Sequence, residues 1–178
     1  MKKLTTKQIL EENLQRIPPS TLDTLKILVP NIRSLHNIGS IFRSSDAFGV
    51  SEIILSGYSP TPPRPEINKT AIGAEEFVKW RYEKNADECL LKLKQKGYYI
   101  IGLEQTNVST PLPDFEAQNH EKICIVLGSE VSGIENSLLH LVDEYVAIPQ
   151  FGRKHSLNVS VAAGIILYAV LEKVWNEK

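Results

Sequence analysis

Five consecutive apolar residues, Ile123 to Leu127, run without a spacer into the Gly-rich turn GSEVSG. A strand that offers no polar side chain must be covered on both faces, the condition of an inner strand in a parallel sheet flanked by helices. Less uniformly apolar strand-like runs repeat at Leu25–Val29, Glu52–Ser56, Tyr98–Leu103 and Glu144–Ile148, and Phe77–Tyr82 reads as a further strand. They alternate with segments of helical period, such as Ala86–Lys96, in which Leu90, Leu91 and Leu93 are apolar, and a short one around Glu135–His140. The expected fold class is therefore α/β, a mostly parallel sheet flanked by helices, and 178 residues suit one domain.

Ahead of the first strand, residues 5–16 have helical spacing, with Ile9, Leu10 and Leu14 on one face, and stop at Pro18 and Pro19. This gives a short helical extension over residues 1–22 and a main domain over 23–178. The stretch 56–70, SGYSPTPPRPEINKT, contains four prolines and reads as a surface loop following a strand, which would place Arg64 and Lys69 where ligands collect in open α/β sheets.

Three stretches carry polar groups out of proportion to their surroundings. In NIRSLHNIGSIFRSSDAFGV, residues 31–50, Asn37 reads as a helix N-cap, Ile38, Ile41, Phe42, Ser45 and Phe48 trace one face, and Gly49 ends the helix. Gly39 and Arg43 share another side, where bare backbone with a cation one turn on would suit a phosphate or a ribose. In the second stretch, the turn after Leu127 bears Glu130; no G-x-G-x-x-G and no Walker pattern is present, which removes the best support for dinucleotide or P-loop chemistry.

The third stretch, IPQFGRKHSLNVSVAAG over residues 148–164, leads straight into a helix. Val159, Ala162, Ala163, Ile166, Val170 and Val174 lie on one face, and Val161, Ile165 and Tyr168 form a second apolar line. Such a helix is covered on two sides, by its own sheet and by either more of the core or a second copy of the chain. Ser156 and Asn158 are N-cap residue types, and Arg153, Lys154 and His155 put cations beside the helix start.

A net charge of −1 argues against binding nucleic acid by overall charge, but residues 101–150 hold eight acidic residues against Lys122 alone, so the rest is net positive. RNA, if bound, should meet Arg33, His36, Arg43, Arg64, Lys69, Arg153 and Lys154. No run approaches the ~20 apolar residues of a membrane span. Glu11 and Glu12 stand where a signal peptide would be apolar, so the expected location is cytoplasmic. Cys89 and Cys124 sit in apolar runs and read as buried thiols, and the histidines lack metal-binding spacing, so no metal is expected.

Asn37, Gly39 and Arg43, then Gly128, Glu130 and Gly133, then SLNVSVA with Ser156 and Asn158, resemble in order the three motifs of the SpoU/TrmH family of SPOUT methyltransferases, which methylate RNA ribose 2'-hydroxyls. The resemblance implies a deep trefoil knot at the C-terminal end, a feature chain topology otherwise makes rare. It implies S-adenosylmethionine as cofactor, held mainly by backbone at Leu103, Glu104, Gly128, Ile148, Ser156 and Leu157. It also implies a homodimer acting on tRNA or rRNA. Arg43 would stand closest to the chemistry, as proton acceptor in family accounts, or as a fixed cation, since guanidinium keeps its proton in proteins. Asn37, Glu130, Ser156 and Asn158 would position it and the ribose. The alternative is a non-catalytic RNA-binding or assembly module on the same fold, which would not need all five of these residues.

Overall fold

The structure is a computed structural model that describes residues 2–175. In chain order it contains α1 (Thr6–Gln15), β1 (Lys26–Pro30), α2 (Leu35–Ala47), β2 (Glu52–Ser56), α3 (Pro65–Ala71), α4 (Ala74–Phe77), β3 (Trp80–Glu83), α5 (Ala86–Gln95) and β4 (Tyr99–Leu103). There follow β5 (Thr110–Pro111), β6 (Ile123–Leu127), α6 (Asn136–Leu139), β7 (Glu144–Ala147) and α7 (Val159–Trp175). The strands form one sheet in the order β3-β2-β1-β6-β4-β7-β5, and every pairing is parallel.

The all-apolar strand β6 is the middle of the seven, and all five of its residues are buried. Its alternate side chains feed two cores. Ile123, Ile125 and Leu127 face Ile27, Val29, Phe42 and the buried side of α7, whereas Cys124 and Val126 face Leu28, Ile54 and the α5 residues Cys89, Leu90 and Leu93. Cys89 and Cys124 are thus buried free thiols, as their apolar runs indicated, and burial pushes the Cys124 thiol far up. At the N-terminal ends of the strands, the Glu52 carboxylate accepts from Lys26 at 2.6 Å and pairs with Arg81 at 2.5 Å. Burial works to raise its pKa, but the two cations outweigh it and hold it below the usual carboxylate range.

Several sequence expectations are corrected. The proline-rich stretch is a loop only in its first half. Pro65 occupies the first turn of α3, Glu66 and Lys69 complement its dipole, and Ile72, at φ 52°, ends it. The strand expected over Phe77–Tyr82 is confined to Trp80–Glu83, because Ala74–Phe77 forms the short α4. Helix α2 is capped by Ser34, whose hydroxyl accepts from the Asn37 N–H at 3.2 Å, so Asn37 lies inside the first turn with its side chain free for other use. Leu91 is exposed, and α1 buries none of its residues, leaving Ile9, Leu10 and Leu14 in solvent.

The space beside Gly39 is not for a ligand. A Cβ there would lie 2.1 Å from Thr70 Oγ1 and 2.3 Å from the Ile67 carbonyl, so the missing side chain is what lets α3 pack against α2. Thr70 also donates to the His36 carbonyl at 2.9 Å across that contact. Gly39→Ala must push the two helices apart, and a loss of about 1–3 kcal/mol is expected, read as a lower urea midpoint. An unchanged midpoint would show that α3 does not seat on α2 in this way.

Candidate active site

The loops that carry the three polar stretches all leave the C-terminal ends of strands, after β1, β6 and β7, where the chain's two halves diverge on either side of β1 and β6. Ligand sites of open α/β sheets lie at such a switch point. Glu130, on the loop after β6, accepts from Asn37 Nδ2 at 2.8 Å and from the Arg33 N–H at 3.4 Å. The Asn37 carbonyl oxygen, turned the other way, accepts from Asn158 Nδ2 at 3.1 Å. Asn158 Oδ1 accepts from the Ser160 N–H at 2.9 Å and from its hydroxyl at 2.7 Å, and the Asn158 carbonyl takes the Ala162 N–H at 2.9 Å. Asn158 therefore caps α7, while Ser156 lies in the run that precedes it.

The order of this relay is dictated by donor chemistry. A carboxylate only accepts, so Glu130 turns the Asn37 amide nitrogen toward itself; the exposed Asn37 oxygen then demands the nitrogen of Asn158. One residue from each of the three sequence motifs is thereby joined.

Beside the relay, a cleft of about 720 Å³ runs between the loops after β4, β6 and β7. Leu103, Glu104, Gly128, Ile148, Ser156 and Leu157 all line it, as do Glu130 and Asn158. Sequence reasoning did not find the structural use of Glu104. Its carboxylate accepts from the Ile134 N–H at 2.9 Å and from the Gln105 N–H at 3.0 Å, tying the loop after β6 to the end of β4. No local pattern signals a bond between residues 30 apart. Tyr145, behind the cleft, donates to the Leu139 carbonyl at 2.7 Å; burial raises its pKa, and the Glu104 carboxylate adds to the rise.

Two glycines are required by the way the turn folds. A Cβ on Gly128 would fall 2.8 Å from the Gly133 backbone, so the turn's own return, not a ligand, excludes it. A Cβ on Gly133, whose φ is +65°, would fall 2.1 Å from Glu104 Oε2. The Ser129 and Gly133 backbones bond each other in both directions, at 2.9 and 3.1 Å. The result is a tight turn that presents bare backbone to the cleft.

The cations are distributed unevenly. Arg33 abuts Glu130 through its backbone; His36 and Lys69 are exposed on α2 and α3; Arg153 and Lys154 are exposed on the loop before α7. Arg43 is exposed on α2 and is not among the residues lining the cleft.

A parallel sheet whose C-terminal loops enclose a mixed polar and apolar cleft beside a carboxylate–amide relay defines an α/β enzyme that binds a small cofactor across the strand ends. The SpoU rRNA methylase family model matches residues 24–168, and the chain belongs to that family. It is 34% identical over 160 residues to a tRNA (guanosine(18)-2'-O)-methyltransferase of Thermus thermophilus, covering 89% of this chain and 78% of that protein. The TrmH/SpoU tRNA modifying enzyme of A. aeolicus superposes with a TM-score of 0.77 at 26% identity, covering 93% of this chain and 84% of that one. A SpoU methyltransferase of Streptomyces viridochromogenes in complex with AdoMet superposes with a TM-score of 0.79 at 25% identity, over 88% of this chain and 60% of that one.

The relay makes a charge prediction. Asn37→Asp keeps the oxygen that accepts from Asn158 but sets a carboxylate against Glu130. At pH 7 the variant should be less stable than wild type by about 1 kcal/mol, and the gap should close below about pH 4, where carboxylates protonate. Equal acid and neutral gaps in chemical denaturation would rule out the contact.

Proposed function

We propose that this protein is an S-adenosylmethionine-dependent RNA methyltransferase that transfers a methyl group to a ribose 2'-hydroxyl. The observation that carries the reading is the Glu130–Asn37–Asn158 relay at the edge of the cleft lined by the loops after β4, β6 and β7. The residues present fit the cofactor. A space of about 720 Å³ is of the size that small-molecule ligands use, Leu103, Ile148 and Leu157 supply apolar walls, and the turn from Gly128 to Gly133 offers unencumbered backbone. When bound, the cofactor supplies a methyl group on a positively charged sulfur.

What the chain itself must do is hold the ribose and steady the charge that develops on its oxygen. Asn37 and Asn158, fixed by Glu130, are positioned to orient the sugar and keep the loop before α7 in place, with Ser156 beside them. Arg43 is the residue assigned closest to the reacting oxygen. Its guanidinium does not take up the proton, so it acts as a fixed cation toward the developing alkoxide or the adjoining phosphate, and the proton leaves to phosphate or water. Arg33, His36, Lys69, Arg64, Arg153 and Lys154 are assigned to the RNA backbone. We also place the C-terminal knot of the family and a cytoplasmic location in this reading, the latter in keeping with buried free thiols.

A second copy completes the site. Ala163 is buried in the subunit's own core at 0% exposure, whereas the other face of α7 leaves Val161 51%, Ile165 37% and Tyr168 53% exposed. Arg43 is next in sequence to the residues that meet this helix, for Tyr168 packs edge-on against Phe48, just past the end of α2, at 5.9 Å, and Gly164 faces Ser44 in the last turns of α2. A dimer formed through α7 carries Arg43 toward the partner's cleft.

Arg43→Ala should retain cofactor binding by calorimetry and lose about 100-fold or more in methylation of total cellular RNA, while Arg43→Lys, still a cation, keeps measurable activity. Near-normal turnover by Arg43→Ala would refute the assignment. Ile165→Glu should sediment as a monomer and be inactive. Mixing the inactive Arg43→Ala and Asn158→Ala proteins should restore about a quarter of wild-type activity, because random pairing gives half the dimers one intact composite site. No restoration on mixing would place Arg43 in its own subunit's site.

A further inference from the structure

A second cleft, of about 660 Å³, opens beside the C-terminal ends of β1 and β2 and along β3, with Arg33, Tyr58, Arg64, Trp80 and Tyr82 among its lining and no acidic residue. Its composition is unlike that of a surface built for solvent. Three aromatic rings converge there, and Tyr58 and Tyr82 remain 53% and 46% exposed. Trp80 and Tyr82 are two apart on β3 and so project from one face of the sheet.

The Tyr82 ring and the loop that carries Tyr58 are held in place. The Tyr82 hydroxyl donates to the Gly57 carbonyl at 2.7 Å, and the Tyr58 N–H donates to Asn31 Oδ1 at 3.0 Å. Buried Ser59 donates to the Val29 carbonyl at 2.8 Å and accepts from the Ile32 N–H at 2.9 Å, which pins the loop to the exit of β1. The Arg33 guanidinium lies over the Tyr58 ring, 5.5 Å from its centre. Rigid aromatic faces with guanidinium groups beside them match one ligand chemistry closely: unpaired bases stack on such faces, and their phosphates pair with the cations.

The second cleft and the relay meet at Arg33. Arg33 lines the second with its side chain, while its backbone N–H donates to Glu130 in the relay. We infer that the cleft of Tyr58, Trp80 and Tyr82 is a nucleobase-stacking site, taking an unpaired base of the RNA strand whose ribose lies at the relay, with Arg33 and Arg64 on the flanking phosphates. The inference rests on the RNA methyltransferase reading for the identity of the strand. It assigns base contacts to aromatic residues and leaves the phosphates to the basic ones.

The chain has two tryptophans, so Trp175→Phe leaves Trp80 as the sole indole reporter. A short single-stranded RNA, end-labelled for anisotropy, is titrated into that protein. Stacking should quench Trp80 emission with the same dissociation constant that anisotropy gives. In the otherwise native chain, Tyr58→Ala and Trp80→Ala should each weaken RNA binding about fivefold or more, with S-adenosylmethionine binding unchanged, and Tyr58→Phe and Trp80→Phe should keep most of the affinity because they keep a ring. RNA binding that leaves Trp80 emission unaltered, or Ala variants with wild-type curves, would overturn the site. So would emission that follows protein concentration instead of RNA, which would mean that a second copy covers the cleft, and so would an absence of RNA binding. Radiolabelled methyl transfer to cellular RNA separates the two claims. Transfer with a silent Trp80 removes the stacking site alone, whereas quenching without transfer removes the enzymatic reading alone.

Discussion

Burial of β6 on both faces is the constraint on which the rest depends. Four aliphatic side chains at roughly 1.5–3 kcal/mol each, with the Cys124 thiol among them, are stabilising only if helices cover both sides of the sheet. That requirement sends α2 and α7 to one face and α5 and α6 to the other. Connections between parallel strands must cross over, so every loop with freedom to vary emerges at a strand end. The relay and the cleft beside it lie at the C-terminal ends of the strands.

Close backbone approach then decides how the loops are set. Gly39 allows α3 to lie on α2, Gly128 and Gly133 allow the turn after β6 to close on itself, and Glu104 fastens that turn to β4. These contacts bring polar groups together with little flexibility left to lose on binding, which favours pre-organised recognition. The same loops leave two surfaces of opposite kind. One is the apolar stripe of α7, which suits a copy of the chain; the other is the aromatic and cationic cleft above β2 and β3, which suits a base and its phosphate.

The electrostatics follow the same division. The Lys26–Glu52–Arg81 cluster lies at the N-terminal ends of the first three strands, far along them from the relay. It satisfies charges that would otherwise crowd the sheet's lower edge. At the upper edge Glu130 accepts from neutral donors, the Asn37 amide and the Arg33 backbone.

What was legible in the sequence was what depends on local period and on residue type. The run Ile123–Leu127 specified a doubly covered strand, the periodicity of residues 159–174 specified α7, and Asn37, Glu130 and Asn158 stood in three motifs that resemble those of the SpoU/TrmH family. The tertiary structure decided whatever depends on which segments meet. It converted Gly39 from ligand space into a helix contact, moved the cap of α2 to Ser34, made a helix of Pro65–Ala71, and buried Ala163 while exposing Ile165. It also brought Tyr58 to Trp80 and Tyr82, and Glu104 to Ile134. Propensity and period report the energy of a residue in its own segment. A hydrogen bond across 93 residues, as between Asn37 and Glu130, exists only once the sheet has chosen the order of its strands.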